Sequence, residues 1–425
     1  MSIALLFIIL FVLLIIGSPV AVALGLSSLI FILTQGIPDL VVLHNMINGV
    51  NSFPLIAVPF FILAGHLMNS SGITDKIFGF ARAGVGWMHG GLGHVNVGAS
   101  VIFAGMSGAA VADAGGLGNI EIKAMKDAGY DKDFSVGITA ASSTIGPIIP
   151  PSLPLIVYGV TGDASIGQLF AAGIIPGLMM ALSLMVMVWW ISRRRNYPKD
   201  DSFQLARLTS AFAEAFAPLM TPVIIVGGIL SGVFTPTEAA IAAVAYSLIL
   251  GVFVYRTITF KSLLRVSMET LETTASIMMI IAASSIFAWI LTANQVAQDF
   301  ADYLLAFTDN KTAILLIITL MILVIGCFME TLAAITILVP VLLPVAVHIG
   351  IDPVHFGIIM ILNLMLGLLT PPVGMVLYVL SKVADVPFEK CVMATLPFLV
   401  PLIIVLLVLT FVPQLTMWLP EYLYR

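Results

Sequence analysis

The stretch Ser143-Thr-Ile-Gly-Pro-Ile-Ile-Pro-Pro-Ser-Leu-Pro-Leu-Ile-Val-Tyr-Gly159 places four prolines in a run otherwise as apolar as a membrane span. Each proline inside a helix removes a donor and clashes with the preceding turn, at about 3 kcal/mol. Inside lipid the backbone must satisfy its own polar groups. Irregular backbone therefore persists at membrane depth only where it is buried in protein or lines a polar cavity. If the surrounding chain spans a membrane, these prolines mark a site.

The surrounding chain has that character. Of 425 residues, 60% are hydrophobic and 9% charged, and apolar runs of spanning length recur throughout. This composition predicts an all-α polytopic membrane protein with no soluble domain. Residues 3–16 carry no basic flank and no small-residue cleavage site, so they are expected as a retained span and not a signal peptide. A net charge of −5 says little about partners when charges are so sparse. Cys327 and Cys391 form no metal or disulfide spacing, and His66, His89, His94 and His348 are not spaced as ligands. No His-Glu-x-x-His, Gly-x-Ser-x-Gly or paired-Asp arrangement lies in a span, which argues against an intramembrane enzyme.

Shifting the sequence by 221 residues pairs Gly105 with Gly326, Asp131 with Asp352, Gly146 with Gly367, Pro150 with Pro371, Pro151 with Pro372 and Pro176 with Pro397. All six are residue types that dictate backbone shape, so the proline stretch has a twin at Gly367-Leu-Leu-Thr-Pro-Pro-Val-Gly-Met-Val-Leu-Tyr378. Spans are expected near 2–17, 19–35, 54–70, 133–160, 166–191, 211–233, 237–256, 266–293, 353–380 and 389–416. Residues 91–128 and 311–348 are too long for one span and too interrupted by Gly or Pro for two, which predicts re-entrant hairpins. Placing both termini outside puts every Lys and Arg except Lys311 and Arg425 on the inner side. Each half then holds an odd number of spans, which inverts the second relative to the first.

The first repeat is thus expected over 1–191, with a scaffold at 1–70, an interfacial helix at 72–88, a hairpin at 91–128 and a broken helix at 133–160. A cytoplasmic linker over 192–210 leads to the second, 211–425, with its scaffold at 211–293, interfacial helix at 294–307, hairpin at 311–348 and broken helix at 353–380.

At each break one half-helix ends in exposed carbonyls and the next opens on proline, where a missing donor costs nothing. The negative helix end, freed carbonyls and nearby hydroxyls make a seat for a small cation. The expected cation ligands are Gly105, Ser107, Ser143, Thr144 and Gly146 at the first seat, and Gly326, Met329, Thr331, Gly367 and Thr370 at the second. An anionic substrate is expected beside Ser107, Ser143 and Glu330 and the helix starts at Pro150, Pro151 and Pro371. Glu238, in Thr235-Pro-Thr-Glu, reads as a helix cap, and Asp113 is expected in a structural role, paired with a neighbour, with a place facing a polar cavity as the alternative. Two seats, each built from a hairpin tip and a broken helix, point to a secondary carrier; a channel is the competing class.

Gly146-Pro-Ile-Ile-Pro-Pro-Ser-Leu-Pro-Leu-Ile-Val-Tyr-Gly, Ser231-Gly-Val-Phe-Thr-Pro-Thr-Glu-Ala-Ala and Leu369-Thr-Pro-Pro-Val-Gly resemble the large membrane subunit of tripartite ATP-independent periplasmic (TRAP) transporters. The resemblance covers essentially the whole chain. It implies an elevator-type symporter of the bacterial inner membrane, with sodium ions as the coupling cations. It also implies a small four-helix membrane subunit, expected on a separate chain, and a periplasmic substrate-binding protein that delivers an organic acid such as sialic acid or a C4-dicarboxylate. A stand-alone cation- or proton-coupled anion carrier of related architecture is the alternative.

Overall fold

The computed structural model describes residues 3–200, 202–308 and 310–424, and among them every regular element is helical. Seven helices are long and apolar enough to cross a membrane: Phe53–Ser70, Ile166–Arg195, Leu205–Leu230, Pro236–Val254, Phe260–Ala293, Thr331–His348 and Phe388–Phe411. The N-terminal segment forms two shorter helices, Ile3–Ile15 and Val20–Thr34, divided at Gly17-Ser18-Pro19. Proline after a glycine at φ +90° ends one helix and starts the other.

An amphipathic helix, Leu40–Val50, occupies residues for which the sequence predicts no element. Its polar and apolar residues alternate too closely to read as a span, and the apolar stripe is visible only on a 3.6-residue projection.

The spine of the fold is Phe260–Ala293, a 34-residue helix about 50 Å long. A reciprocal cap between Thr259 and Ser262 starts it. Its last turns bury Ala283, Phe287 and Ile290 against Leu6, Leu24 and Phe31, making a small apolar core separate from the main one. The same helix also packs on Leu40–Val50, Ala57–Ser70 and Thr331–His348.

The main core surrounds Lys132–Ser143 and Pro353–Gly367, in which nearly every residue is buried. A run such as Pro353-Val-His-Phe-Gly-Ile-Ile-Met-Ile-Leu-Asn-Leu-Met-Leu-Gly367 is apolar on all faces because protein surrounds it on all faces. Helices Gly91–Ser107, Ala110–Gly115 and Leu117–Asp127 lie beside the first of these, and Lys311–Gly326 and Thr331–His348 beside the second.

The polar segment after Arg195 is pinned along its length. Tyr197 donates to Asp131, which also holds Arg195 at 3.0 Å, and Tyr130 donates to the Pro198 carbonyl at 2.8 Å. Asp200 then pairs with Arg82. Tyr130, Phe134 and Tyr197 stack beneath it, so apolar contact as well as charge holds the segment in place.

Candidate functional site

Both proline stretches interrupt their helices. Lys132–Ser143 stops before a series of turns, and Leu153–Thr161 resumes behind Ser152, whose hydroxyl accepts from the Leu155 amide and donates to the Pro147 carbonyl. In the twin, Pro353–Gly367 stops and Met375–Ala384 resumes after Gly374 at φ +52°. The Pro150-Pro151 and Pro371-Pro372 bonds are both cis.

At the second break the structure brings Gly326, Gly367 and Thr370 together. Gly326 ends Lys311–Gly326 with its backbone against Gly367, so closely that a Cβ on Gly367 would sit 2.6 Å from the Gly326 Cα. Two bonds follow from that approach. The Val373 amide donates to the Cys327 carbonyl at 3.2 Å, and Cys327 Sγ lies 2.8 Å from Thr370 Oγ1. Glu330 caps Thr331–His348 by accepting from the Leu332 and Ala333 amides at 2.9 and 3.1 Å. Thr331 is buried and Met329 half-buried, whereas Pro371, Pro372 and Val373 are exposed.

The first break is closed, with Ser143, Thr144, Gly146, Pro150 and Pro151 all buried. Gly108, at φ +59°, lays the tip backbone against the break: a Cβ there would sit 2.6 Å from the Pro151 carbonyl oxygen. The Cβ side of Gly105 is turned to another helix. It packs on Pro222 of the helix Leu205–Pro222, a partner with no counterpart at Gly326. The side chain of Ser107 lies outside the described residues.

Ser143 donates to the Ala140 carbonyl at 2.8 Å, Thr144 to Ala141 at 2.6 Å and Thr370 to Gly367 at 3.0 Å. A hydroxyl whose proton is committed to its own helix keeps its oxygen lone pairs, and so suits a hard monovalent cation better than an anion. Among the described residues no group of three His, Cys, Asp or Glu side chains is placed to hold a metal ion. The breaks offer hydroxyl and carbonyl oxygens, with the Asp113 carboxylate beside the first, and such hard oxygen donors suit a cation like sodium.

Three features escaped the sequence reading. Cys327 links the second tip to its break, although it follows Gly326 directly in the repeat. Asp113, which the sequence places two turns past the first tip, is buried against Gly146, where a Cβ would sit 2.6 Å from Oδ2, so a carboxylate borders the first break. The third is a polar quartet. Asn96 Nδ2 donates to Glu121 at 2.6 Å and to Thr139 at 2.7 Å, and its Oδ1 accepts from Ser142 at 2.6 Å, all of them buried. It joins Gly91–Ser107, Leu117–Asp127 and Lys132–Ser143, three segments whose polar residues are too far apart in sequence to associate by spacing. Glu238 does what its motif predicts, closing a capping box with Thr235.

The sequence profile of the tripartite ATP-independent periplasmic transporter DctM component matches residues 7–415. The chain is 50% identical over 406 residues to the sialic acid TRAP transporter large permease protein SiaM of Vibrio cholerae, covering 95% of each. It is 43% identical over 409 residues to the sialic acid TRAP transporter permease protein SiaT of Haemophilus influenzae, covering 96% of this chain and 66% of that protein. The YdaH transporter of Alcanivorax borkumensis, known from a crystal structure, superposes with a TM-score of 0.66 at 14% identity, over 90% of this chain and 88% of that one. At that identity the likeness concerns the fold alone.

Proposed function

Since the chain belongs to the DctM-component family of tripartite ATP-independent periplasmic transporters, we propose that it is the carrier subunit of a sodium-driven importer of an organic acid, sialic acid first. The observation that carries the substrate is the 50% identity, end to end, to a sialic acid large permease. A C4-dicarboxylate is the second substrate class for which the family resemblance speaks.

In this reading the two halves are inverted repeats with both termini on the periplasmic side of the inner membrane. Hairpins and broken helices form the moving unit, and the helices of 1–70 and 211–293 form the scaffold, in an elevator mechanism. One sodium ion sits at each break, held by carbonyls and by Ser143 and Thr144 in one, Thr370 and the Gly326–Gly367 junction in the other. Glu330 belongs to the second site.

The energetic logic follows from charge. Two sodium ions moving inward with a monoanion carry one net positive charge, worth about 2.3 kcal/mol per 100 mV of membrane potential. Each seat neutralises its cation with helix-end dipoles, so little fixed charge has to cross. The substrate carboxylate is met by bound cations and helix starts.

The partners are a small membrane subunit and a periplasmic binding protein. Proteoliposomes holding this chain with its small subunit test the assembly. Labelled sialic acid should enter only with an inward sodium gradient and added binding protein. Uptake without the binding protein would move the chain to the stand-alone carriers, and uptake of succinate in place of sialic acid would move it to the dicarboxylate class.

A further inference from the structure

The helix Ile166–Arg195 has 30 residues, about 45 Å, and outreaches the roughly 30 Å of a bilayer's hydrocarbon. Its last turns therefore lie at the membrane surface. Arg193, Arg194 and Arg195 close it. The negative helix end favours positive charge there, which accounts for basic residues but not for how two of them are held. Arg195 is engaged, donating to Asp131 and Tyr197.

Arg193 and Arg194 each lie over an indole one turn back along the helix. The Arg193 guanidinium is 4.7 Å from the centre of the Trp189 ring, and that of Arg194 is 4.0 Å from Trp190. Stacking on an aromatic face fixes the group while its N–H fork, which lies in its own plane, stays available to a second partner. Among the described residues the ion pairs are Arg82–Asp200, Arg195–Asp131, Arg265–Glu269 and His66–Glu269, so no carboxylate answers either guanidinium. All four stacked side chains are exposed.

Leu182 and Val186 continue this side of the helix toward mid-membrane and are 63 and 66% exposed, while Leu184, Val188 and Ile191 on the other side are buried. The exposed face thus presents aliphatic, indole and guanidinium groups in that order. A phospholipid presents acyl chains, ester region and phosphate in the same order. Indoles suit the middle of that sequence, being amphipathic at the interface. A packed protein helix would also cover Leu182 and Val186, but it would bury two charges that it must then answer with carboxylates. A lipid phosphate pairs with both at the wet surface, and Arg forks match phosphate oxygens.

We propose that this face binds an anionic phospholipid such as phosphatidylglycerol, with its phosphate between Arg193 and Arg194 and its acyl chains along Leu182 and Val186. The inference goes beyond the transport reading and holds whichever acid is carried. Arg195, the next residue, holds Asp131 just ahead of the helix Lys132–Ser143, so the lipid sits beside the foot of the first broken helix.

Native mass spectrometry of the purified full-length chain in detergent tests this, with phosphatidylglycerol, phosphatidylcholine or glycerol 3-phosphate added. The wild type should retain phosphatidylglycerol and neither of the others. Arg193→Gln combined with Arg194→Gln should raise the Kd for phosphatidylglycerol about thirtyfold, the worth of two basic residues at an anionic surface. Arg193→Lys with Arg194→Lys keeps the charge but loses the planar fork, and should fall between the two; should the Gln pair fail to fold, this pair still reads the site. Trp189→Leu with Trp190→Leu keeps an apolar face but frees the guanidiniums, and should also weaken binding. Retention of phosphatidylcholine equal to that of phosphatidylglycerol, or an unchanged Kd in the folded Gln or Lys pair, overturns the inference. So does binding of glycerol 3-phosphate as tight as that of the lipid. Loss of the lipid when the chain is purified with its small membrane subunit would make the face a protein interface and overturn it as well.

Discussion

Arg82 grips Asp200 in a fork, Nε to Oδ2 at 2.7 Å and Nη2 to Oδ1 at 2.9 Å, across 118 residues of sequence. The Asp200 amide also donates to the Gly86 carbonyl at 3.0 Å. The helix Ile73–Val85, which carries Arg82, is thereby tied to the segment leading out of the long helix Ile166–Arg195. Arg195 and Tyr197, at the start of that segment, hold Asp131 beside the first broken helix. The segment thus ties the helix Ile73–Val85 to the start of the first broken helix.

Both partners of the fork are partly exposed, so its worth is that of a well-aligned surface pair, about 0.5–1 kcal/mol. Arg82→Ala and Asp200→Asn should each lower the unfolding temperature slightly, and a double-mutant cycle should return a coupling of that size. Hydrogen bonding from Arg82 holds the Asp200 carboxyl below its ordinary value of 3.8. A lowered pKa means that the clasp contributes in full above pH 3.8 and is lost as pH falls through the folded value. The coupling should therefore persist unchanged from neutral pH down to about pH 5. A coupling that decays between neutrality and that point would show that Asp200 is not the partner.

The Gly326–Gly367 junction allows no side chain. Gly367→Ala would drive a Cβ into the opposing backbone and separate the second tip from its break. A Cβ on Gly79 would meet no heavy atom within 4 Å, and Gly79 sits in a helix, making Gly79→Ala a matched control. Sodium-driven uptake should fall at least about tenfold in the first variant and stay unchanged in the second. Equal uptake in both would separate the junction from transport.

The cation seats make a sharper demand. Ser143→Ala and Thr370→Ala each remove one oxygen from a proposed seat without adding bulk. Each should raise the sodium concentration for half-maximal uptake, and the two shifts should combine if both seats bind sodium. The idea fails if neither variant, nor Glu330→Gln, alters the cation dependence. Cys327→Ser offers a finer reading, because it keeps a polar atom beside Thr370 and should leave uptake near wild type, whereas Cys327→Val should not.

The sequence reveals its breaks because Gly and Pro act on the backbone locally. The doubled prolines Pro150-Pro151 and Pro371-Pro372 fall where helices are interrupted, and the fixed offset between the pairs is plain in one dimension. Apolar length likewise announces the long spans. What stays hidden depends on three-dimensional approach. Leu40–Val50 hides because its apolar stripe is narrow. Gly105 and Gly326 are equivalent in sequence yet meet different neighbours, Pro222 for one and Gly367 for the other. Cys327 is an unremarkable residue until the fold brings Thr370 to it.

The buried quartet around Asn96 yields the strictest stability test. Asn96 uses its amide nitrogen on Glu121 and Thr139 and its amide oxygen on Ser142, so one side chain satisfies three buried partners on two other helices. Asn96→Leu keeps the branched shape and breaks all three bonds, each lost bond to a buried group costing about 1–3 kcal/mol. A loss of several kcal/mol is expected, enough to unfold a marginal protein. Thr139→Val removes one neutral acceptor and leaves Asn96 bonded to Glu121 and Ser142, so it should cost about 1 kcal/mol. Thermal unfolding of the purified variants orders them. If Asn96→Leu proves no worse than Thr139→Val, the quartet is three separate contacts and not the pin that holds the first hairpin to its broken helix.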